Sequence, residues 1–163
     1  LTVVKYLNLY FSKAQDVIKK FKGLKYRMEY IGTYNDIKYY NDTIATIPEA
    51  TISAIEAIKD IDTLIFGGLN RKISYEKFIK YLKNSNVNNF ICMPTTGNII
   101  GKELEKTNKR IFYTESLKEA YEISKKYTKK GMSCILSPAA ASYEYFKNFE
   151  EKGKAFENIV KNK

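Results

Sequence analysis

The sequence predicts an α/β domain of three layers, with a mostly parallel sheet of about six strands flanked by helices, a Rossmann-like arrangement. Three observations carry this expectation. TLIF (63–66), NFICM (89–93) and MSCIL (132–136) are short, unbroken apolar runs, the pattern of strands buried on both faces of a parallel sheet. Between them lie stretches whose apolar residues recur at helical spacing, so strands and helices alternate. The length, 163 residues, suits one domain with a core large enough to need no disulfides or metals.

Each element has a local reason. Ala14, Val17, Ile18 and Phe21 are helically spaced within residues 12–21, and Gly23 stops the segment. Residues 27–40, rich in Tyr and Ile, break at Thr33 to Asp36 and read as two strands around a turn. Pro48 suits the first turn of a helix, where its missing N–H has no partner to lose. Ala50, Ala54, Ala57, Ile58 and Ile61 are expected to form that helix's apolar stripe. Gly67-Gly68 stops the TLIF strand. Ser74 is expected to cap a helix lined by Tyr75, Phe78, Ile79 and Leu82. After NFICM come a helix over about 97–107 and a strand, RIFY (110–113). Ser116 and Glu119 form a capping-box pattern for a helix reaching about 127. Following MSCIL, Phe149, Gly153, Phe156 and Val160 share one face of a final helix. Tyr145 and Phe146, just before it, are expected in the core.

Composition removes several function classes. The chain has no histidine, which excludes a Ser-His-Asp triad, an imidazole zinc site and a His general base. Cys92 and Cys134 each sit in an apolar run and form no CxxC, the setting of buried structural thiols. No apolar stretch is long enough for a membrane span. LTVVKYLNLYFSK, at the start, is too polar for a signal peptide. The chain begins with Leu rather than Met and is expected to be a processed product or a piece of something longer. A net charge of +10 raises a polyanion partner. However, the lysines are dispersed among acids, and only three of the 28 basic residues are arginines, the type that reads bases bidentately. The densest cluster, Lys125, Lys126, Lys129 and Lys130 around Tyr127, reads either as a single-strand contact or as a solvated helix end. Nucleic-acid binding is the minor reading.

Sheets of this class bind ligands beyond the carboxyl ends of their strands. That directs attention to NDTIAT, GGLNRK, PTTG and SPAAAS. Asp42 can accept two hydrogen bonds, as from a ribose diol, but Asp42 and Thr46 could equally serve local turn and cap bonds. Arg27 and Arg71 are isolated arginines, either forks for carboxylate or phosphate or plain surface cations. TGNIIGKE (96–103) only superficially resembles a phosphate loop. It is one residue short of GxxxxGK[ST] and carries Glu103 after Lys102, so it reads as a helix start. Pro138 and Ala139 to Ala141 make a side-chain-poor turn that lets a ligand approach the backbone, and Ser142 then offers a hydroxyl.

At this stretch a resemblance enters. LSPAAASYEYFKNFEEKGKAF resembles the C-terminal signature of the Mur ligases, in the form used by the branch that adds D-glutamate. Three further blocks agree in order: FKGLKYRMEYIG (21–32), YYNDTIATIPEAT (39–51) and LIFGGLNRK (64–72). The resemblance implies that residues 1–22 end the preceding central domain as a connecting helix. Residues 23–163 would then form the C-terminal, D-glutamate-binding lid. The implied enzyme is an ATP-dependent amide-bond ligase of peptidoglycan synthesis, using ATP and Mg2+ to join D-glutamate to UDP-N-acetylmuramoyl-L-alanine. Its phosphate loop and carbamylated lysine would lie upstream, so the lid is expected to be inactive alone and to hold no cofactor by itself. Arg27 would contact ATP phosphates and Asp42 the ribose. Thr46, Arg71, Ser142, Phe149 and the backbone of Tyr143 would surround D-glutamate. No residue of this domain is an acid or base in that scheme. The implied partners are the missing N-terminal and central domains, with no nucleic acid and no membrane, in a cytoplasmic monomer.

The sequence departs from the family pattern at several points. Tyr26 replaces His, Ile44 a common Lys, Asn70 a common Asp, Lys72 a common Gly, Ala140 the usual Cys and Lys152 an Arg. Ile44 cannot make an ionic contact, so either Arg71 carries more of that work or D-glutamate is held differently. A sibling Mur ligase or a folylpolyglutamate-type ligase is the alternative. The NFE-x-[RK]G tail favours the D-glutamate branch.

Overall fold

The computed structural model describes residues 2–8, 10–143 and 145–162. Two short helices, α1 (Thr2–Tyr6) and α2 (Phe11–Lys20), precede the sheet. The hairpin of β1 (Glu29–Tyr34) and β2 (Ile37–Asn41) follows. Next come α3 (Pro48–Ala57), β3 (Ile61–Phe66), α4 (Glu76–Asn84), β4 (Asn89–Cys92), α5 (Thr96–Leu104) and β5 (Arg110–Tyr113). The chain ends with α6 (Leu117–Tyr127), β6 (Ser133–Leu136) and α7 (Phe149–Lys161). One six-stranded sheet runs in the order β1-β2-β6-β3-β4-β5, and only β1 is antiparallel to its neighbour. The expected α/β class and strand number hold.

The three layers follow from the pleat. Alternate side chains of a strand point to opposite faces, so each buried strand feeds two cores. Leu64, Phe66, Phe90 and Ile135 pack against Ala54, Phe78, Leu82, Ile100 and Leu104 of α3, α4 and α5. Ile65, Ile91, Cys134 and Leu136 pack against Leu117, Ala120, Phe156 and Val160 of α6 and α7. Every residue of β3, β4 and β6 is buried, which is why these strands read as unbroken apolar runs. Both cysteines are free and buried, and burial pushes the Cys134 thiol up to about 12.

Local chemistry explains several boundaries. Asn35 and Asp36 both have positive φ, 53° and 61°, the pattern of a tight two-residue hairpin turn. Pro48 is the first residue of α3. The Ser116 hydroxyl accepts from the Glu119 amide at 3.1 Å. The Glu119 carboxylate is taken by the Thr114 hydroxyl at 2.5 Å rather than by the Ser116 N–H of a full capping box.

Other expectations are corrected. The buried face of α3 is Pro48, Thr51, Ala54 and Ile55. Ala57 is exposed and Ile61 already belongs to β3, because Thr51 faces inward to meet Ser137 at 2.9 Å. α4 starts after Tyr75, and Ser74 makes only a marginal 3.5 Å contact with the Glu76 amide. α5 is shorter than expected, ending at Leu104. Tyr145 is 60% exposed, outside the core, whereas Phe146 packs against the second core cluster. α1 was not expected at all, and α1 and α2 bury no residue. No helix among the described residues is long and apolar enough to cross a membrane.

Candidate functional site

The parallel register sends the exits of β2, β6, β3 and β4 to one edge of the sheet. β1 runs the other way, and its start pairs with the end of β2 (Glu29 with Asn41). The turn at Tyr26 to Met28 therefore reaches the same edge. From β3 the chain turns to α4 on one face, and from β6 to α7 on the other. Open α/β sheets place their ligands where neighbouring strands diverge to opposite faces in this way.

The exits interlock. Gly67 N–H donates to the Pro138 carbonyl and Leu69 N–H to that of Ala141, both at 2.9 Å. On the other side, Thr95 and Thr96 N–H both donate to the Gly68 carbonyl at 3.0 Å. Gly67 and Gly68 have φ of 126° and 153°. A Cβ on Gly67 would collide with the Met93 carbonyl, and one on Gly68 with that of Ala141. Only glycine threads this gap.

Around it stand the residues singled out from sequence. Asp42 is 1% exposed. Its carboxylate accepts from the Met28 N–H at 3.1 Å and from the Ser137 hydroxyl at 2.7 Å. Burial raises its pKa above the usual carboxylate range, opposed by the bonds from Ser137 and Met28 and by the Arg27 charge. Asp42 thus holds the Tyr26–Met28 turn, in which Tyr26 and Met28 have positive φ, 62° and 44°. The same turn presents Arg27 to solvent. Phe149, at the start of α7, packs edge-on against Tyr26 with ring centres 6.5 Å apart. Gly153, one turn on, leaves room for the Tyr26 ring and the Thr43 hydroxyl, and its carbonyl accepts from Asn41 at 2.9 Å. Arg27, Asp42 and Phe149 are therefore one braced unit.

The remaining candidates sit on the flanks. Thr46 is half-buried just before α3. Arg71 is exposed on the segment from β3 to α4. Ser142 is 4% exposed, and among the described residues its hydroxyl has no hydrogen-bond partner. Tyr143, next to it, is 65% exposed. Sequence reasoning missed Lys152. The residue is 3% exposed, and its ammonium donates to the Gly67 carbonyl at 3.0 Å, tying α7 to the exit of β3. The available signal was a lysine three residues after Phe149 on an otherwise apolar helix face. Two clefts, of about 560 and 650 Å³, lie between α3 and α4 and between α6 and α7, away from this edge. They are ordinary inter-helix grooves rimmed by surface lysines. Among the described residues no three of His, Cys, Asp and Glu cluster, so they offer a divalent cation no multidentate cage.

Fold and edge together define a class: an open, mostly parallel α/β domain whose candidate site residues lie on the segments at one edge of the sheet. Residues 26–140 match the family model for the Mur ligase, glutamate ligase domain, and the chain belongs to that family. It is 38% identical over 149 residues to the UDP-N-acetylmuramoylalanine--D-glutamate ligase of Caldanaerobacter subterraneus, covering 90% of this chain and 33% of that protein. It is 32% identical over 160 residues to the enzyme of the same name from Borreliella burgdorferi, covering 96% of this chain and 35% of that protein. The chain thus spans about a third of the length of these relatives. In three dimensions it resembles the UDP-N-acetylmuramate-alanine ligase of Thermotoga maritima, with a TM-score of 0.65, 14% identity and coverage of 95% of this chain and 34% of that one. The MurF ligase of the same organism, solved with ADP, gives 0.63 and 16%, covering 98% and 36%. At such identities these structures speak to the fold alone.

Proposed function

We propose that the chain is the D-glutamate- and nucleotide-facing lid of an ATP-dependent ligase that joins D-glutamate to UDP-N-acetylmuramoyl-L-alanine in the cytoplasm. In the whole reaction ATP phosphorylates the alanyl carboxylate. The amine of D-glutamate then attacks the acyl phosphate, and phosphate leaves. Residues 1–22 would belong to the preceding domain, which would cover the apolar stripe that α2 exposes here (Val17 is 69% exposed and Ile18 55%). Mg2+, when bound, neutralises phosphate charge. Among the described residues no cluster of ligands is present, so the upstream domains would hold it.

This chain's own work is placement. Arg27, on the turn that Asp42 and Phe149 brace, would meet the ATP phosphates. Asp42 would reach the ribose only as that turn lifts, since both its oxygens are engaged. Thr46, Arg71, Ser142 and the Tyr143 backbone would hold D-glutamate, with Phe149 shaping the pocket. Fixing the amine in attack geometry can supply several kcal/mol of the barrier. The observation that carries the reading is Ser142: a buried, unpartnered hydroxyl within the stretch that matches the D-glutamate branch. Buried polar groups are normally paired, and a substrate carboxylate would supply the partner.

The test joins the chain to its upstream domains and measures ATP-dependent phosphate release with D-glutamate. Arg71→Ala should raise the KM for D-glutamate on the order of 10-fold or more, the value of a charge-assisted hydrogen bond, with the KM for ATP little changed. An unchanged D-glutamate KM would remove Arg71 from the site. Ligation by the isolated chain would overturn the lid reading.

A further inference from the structure

β3 leaves the sheet through Gly67 and Gly68, whose φ of 126° and 153° lie where glycine moves freely and other residues do not. Neither position has a side chain to anchor it, and glycine has the most backbone freedom of any residue. The exit is therefore fixed by whatever holds its peptides. The Gly68 carbonyl accepts from the N–H groups of Thr95 and Thr96 at the start of α5. The Gly67 carbonyl accepts from the Lys152 ammonium at 3.0 Å. A few residues further on, the chain emerges at the surface and carries Arg71.

Lys152 reaches this exit from a distance. It stands on α7, which packs on α6, β1 and β2. β6 lies between β2 and β3, so β3 runs two strand spacings, about 10 Å, from β2. A long side chain is needed to reach it. The residue is 3% exposed, and burying an ammonium costs more than burying a neutral donor. In return, a charged donor binds a carbonyl about twice as strongly as a neutral one, which suits a clamp on a flexible exit. One turn before it on α7, Phe149 packs against Tyr26. The β6 exit turn, which leads to Ser142, is bonded to Gly67 and Leu69. Lys152 thus ties the helix that carries Phe149 to the segment that carries Arg71.

We propose that Lys152 is a positioning residue of the amino-acid site: by holding the Gly67 carbonyl it sets where Arg71 emerges, without itself touching substrate. The proposal rests on the D-glutamate reading above. Without the clamp the glycine exit samples other conformations, and Arg71 is in place only part of the time. The apparent affinity for the amino acid then falls by that fraction. Arg27 is spared, because its turn is held by Asp42.

The experiment uses the ligase with its upstream domains restored. Lys152→Met keeps the bulk and removes the ammonium. It should raise the KM for D-glutamate on the order of 10-fold, with kcat and the KM for ATP changing less than about twofold. Lys152→Arg keeps the charge and the donor and should restore the KM. With Arg71→Ala already present, Lys152→Met should add less than about threefold, since the residue whose place it sets is gone. A lysine that only supported the fold would lower the urea midpoint and the yield of active enzyme, leave this KM where it was, and act equally with or without Arg71. Should Lys152→Met not fold, Lys152→Gln, which keeps a neutral donor, takes its place in the same comparisons. An unchanged D-glutamate KM, an equal loss with and without Arg71, or a Lys152→Arg variant as impaired as Lys152→Met overturns the positioning role and leaves the D-glutamate reading standing. Absence of D-glutamate-dependent phosphate release from the unaltered ligase overturns both.

Discussion

Replacing Asp42 with alanine removes the acceptor for two donors at once, the Met28 N–H and the Ser137 hydroxyl. A bond to a charged buried acceptor is worth about 1.5–3 kcal/mol. Two recoveries reduce the total. The Ser137 hydroxyl already lies 2.9 Å from that of Thr51 and can turn to it. Met28 is 36% exposed, so water can reach its N–H. The net loss should be about 2–4 kcal/mol for Asp42→Ala and about half that for Asp42→Asn, which keeps the shape and one acceptor. Urea denaturation of this chain measures both. The pH dependence has a definite sign. Burial raises the folded-state pKa of Asp42 above its unfolded value, so the native state binds the proton more tightly. The stability tied to this group is fully present below the unfolded pKa and is lost as pH rises through the folded one. The advantage of wild type over Asp42→Asn should therefore widen as pH falls from neutral through the carboxylate range. Since the turn carries Arg27, the KM for ATP should also rise in the complete ligase. A variant as stable as wild type, or a gap that narrows on acidification, would refute this account of Asp42.

Two further outcomes separate the site from the scaffold. Ser142→Ala removes an unpaired buried hydroxyl, so it should leave the domain equally stable or up to about 1 kcal/mol more stable, while the complete ligase loses affinity for D-glutamate; thermal unfolding set beside KM reads both. Gly67→Ala places a methyl against the Met93 carbonyl at a φ of 126°; it should cost about 3 kcal/mol or more, measured as a fall in the urea midpoint.

Much of the fold was legible because the strands that matter are buried on both faces. TLIF, NFICM and MSCIL lie within or across β3, β4 and β6, and the hairpin and Pro48 were legible from turn chemistry. The α3 stripe was misread because helical periodicity alone cannot tell Ala57, which faces solvent, from Thr51, which faces Ser137. Tyr145 was misplaced for a similar reason: an aromatic residue looks like core until the loop from β6 is seen to carry it outward, 60% exposed. At the site, the residues were legible as types in a pattern, but their division of labour was not. Asp42 suggested a ligand contact or a local cap; it is a buried brace between the β1 turn and Ser137, a residue 95 positions away.

The sequence by itself determined the α/β class, the order of the elements and the four segments that gather at one edge, because periodicity and turn chemistry are local. Only the tertiary structure decided that β6 inserts between β2 and β3. That insertion brings SPAAAS against Gly67-Gly68, sets the Lys152 ammonium under the Gly67 carbonyl and leaves the Ser142, Thr96 and Asn98 oxygens without partners. These are contacts between residues far apart in the chain, and no local pattern encodes whether a buried hydroxyl finds a partner.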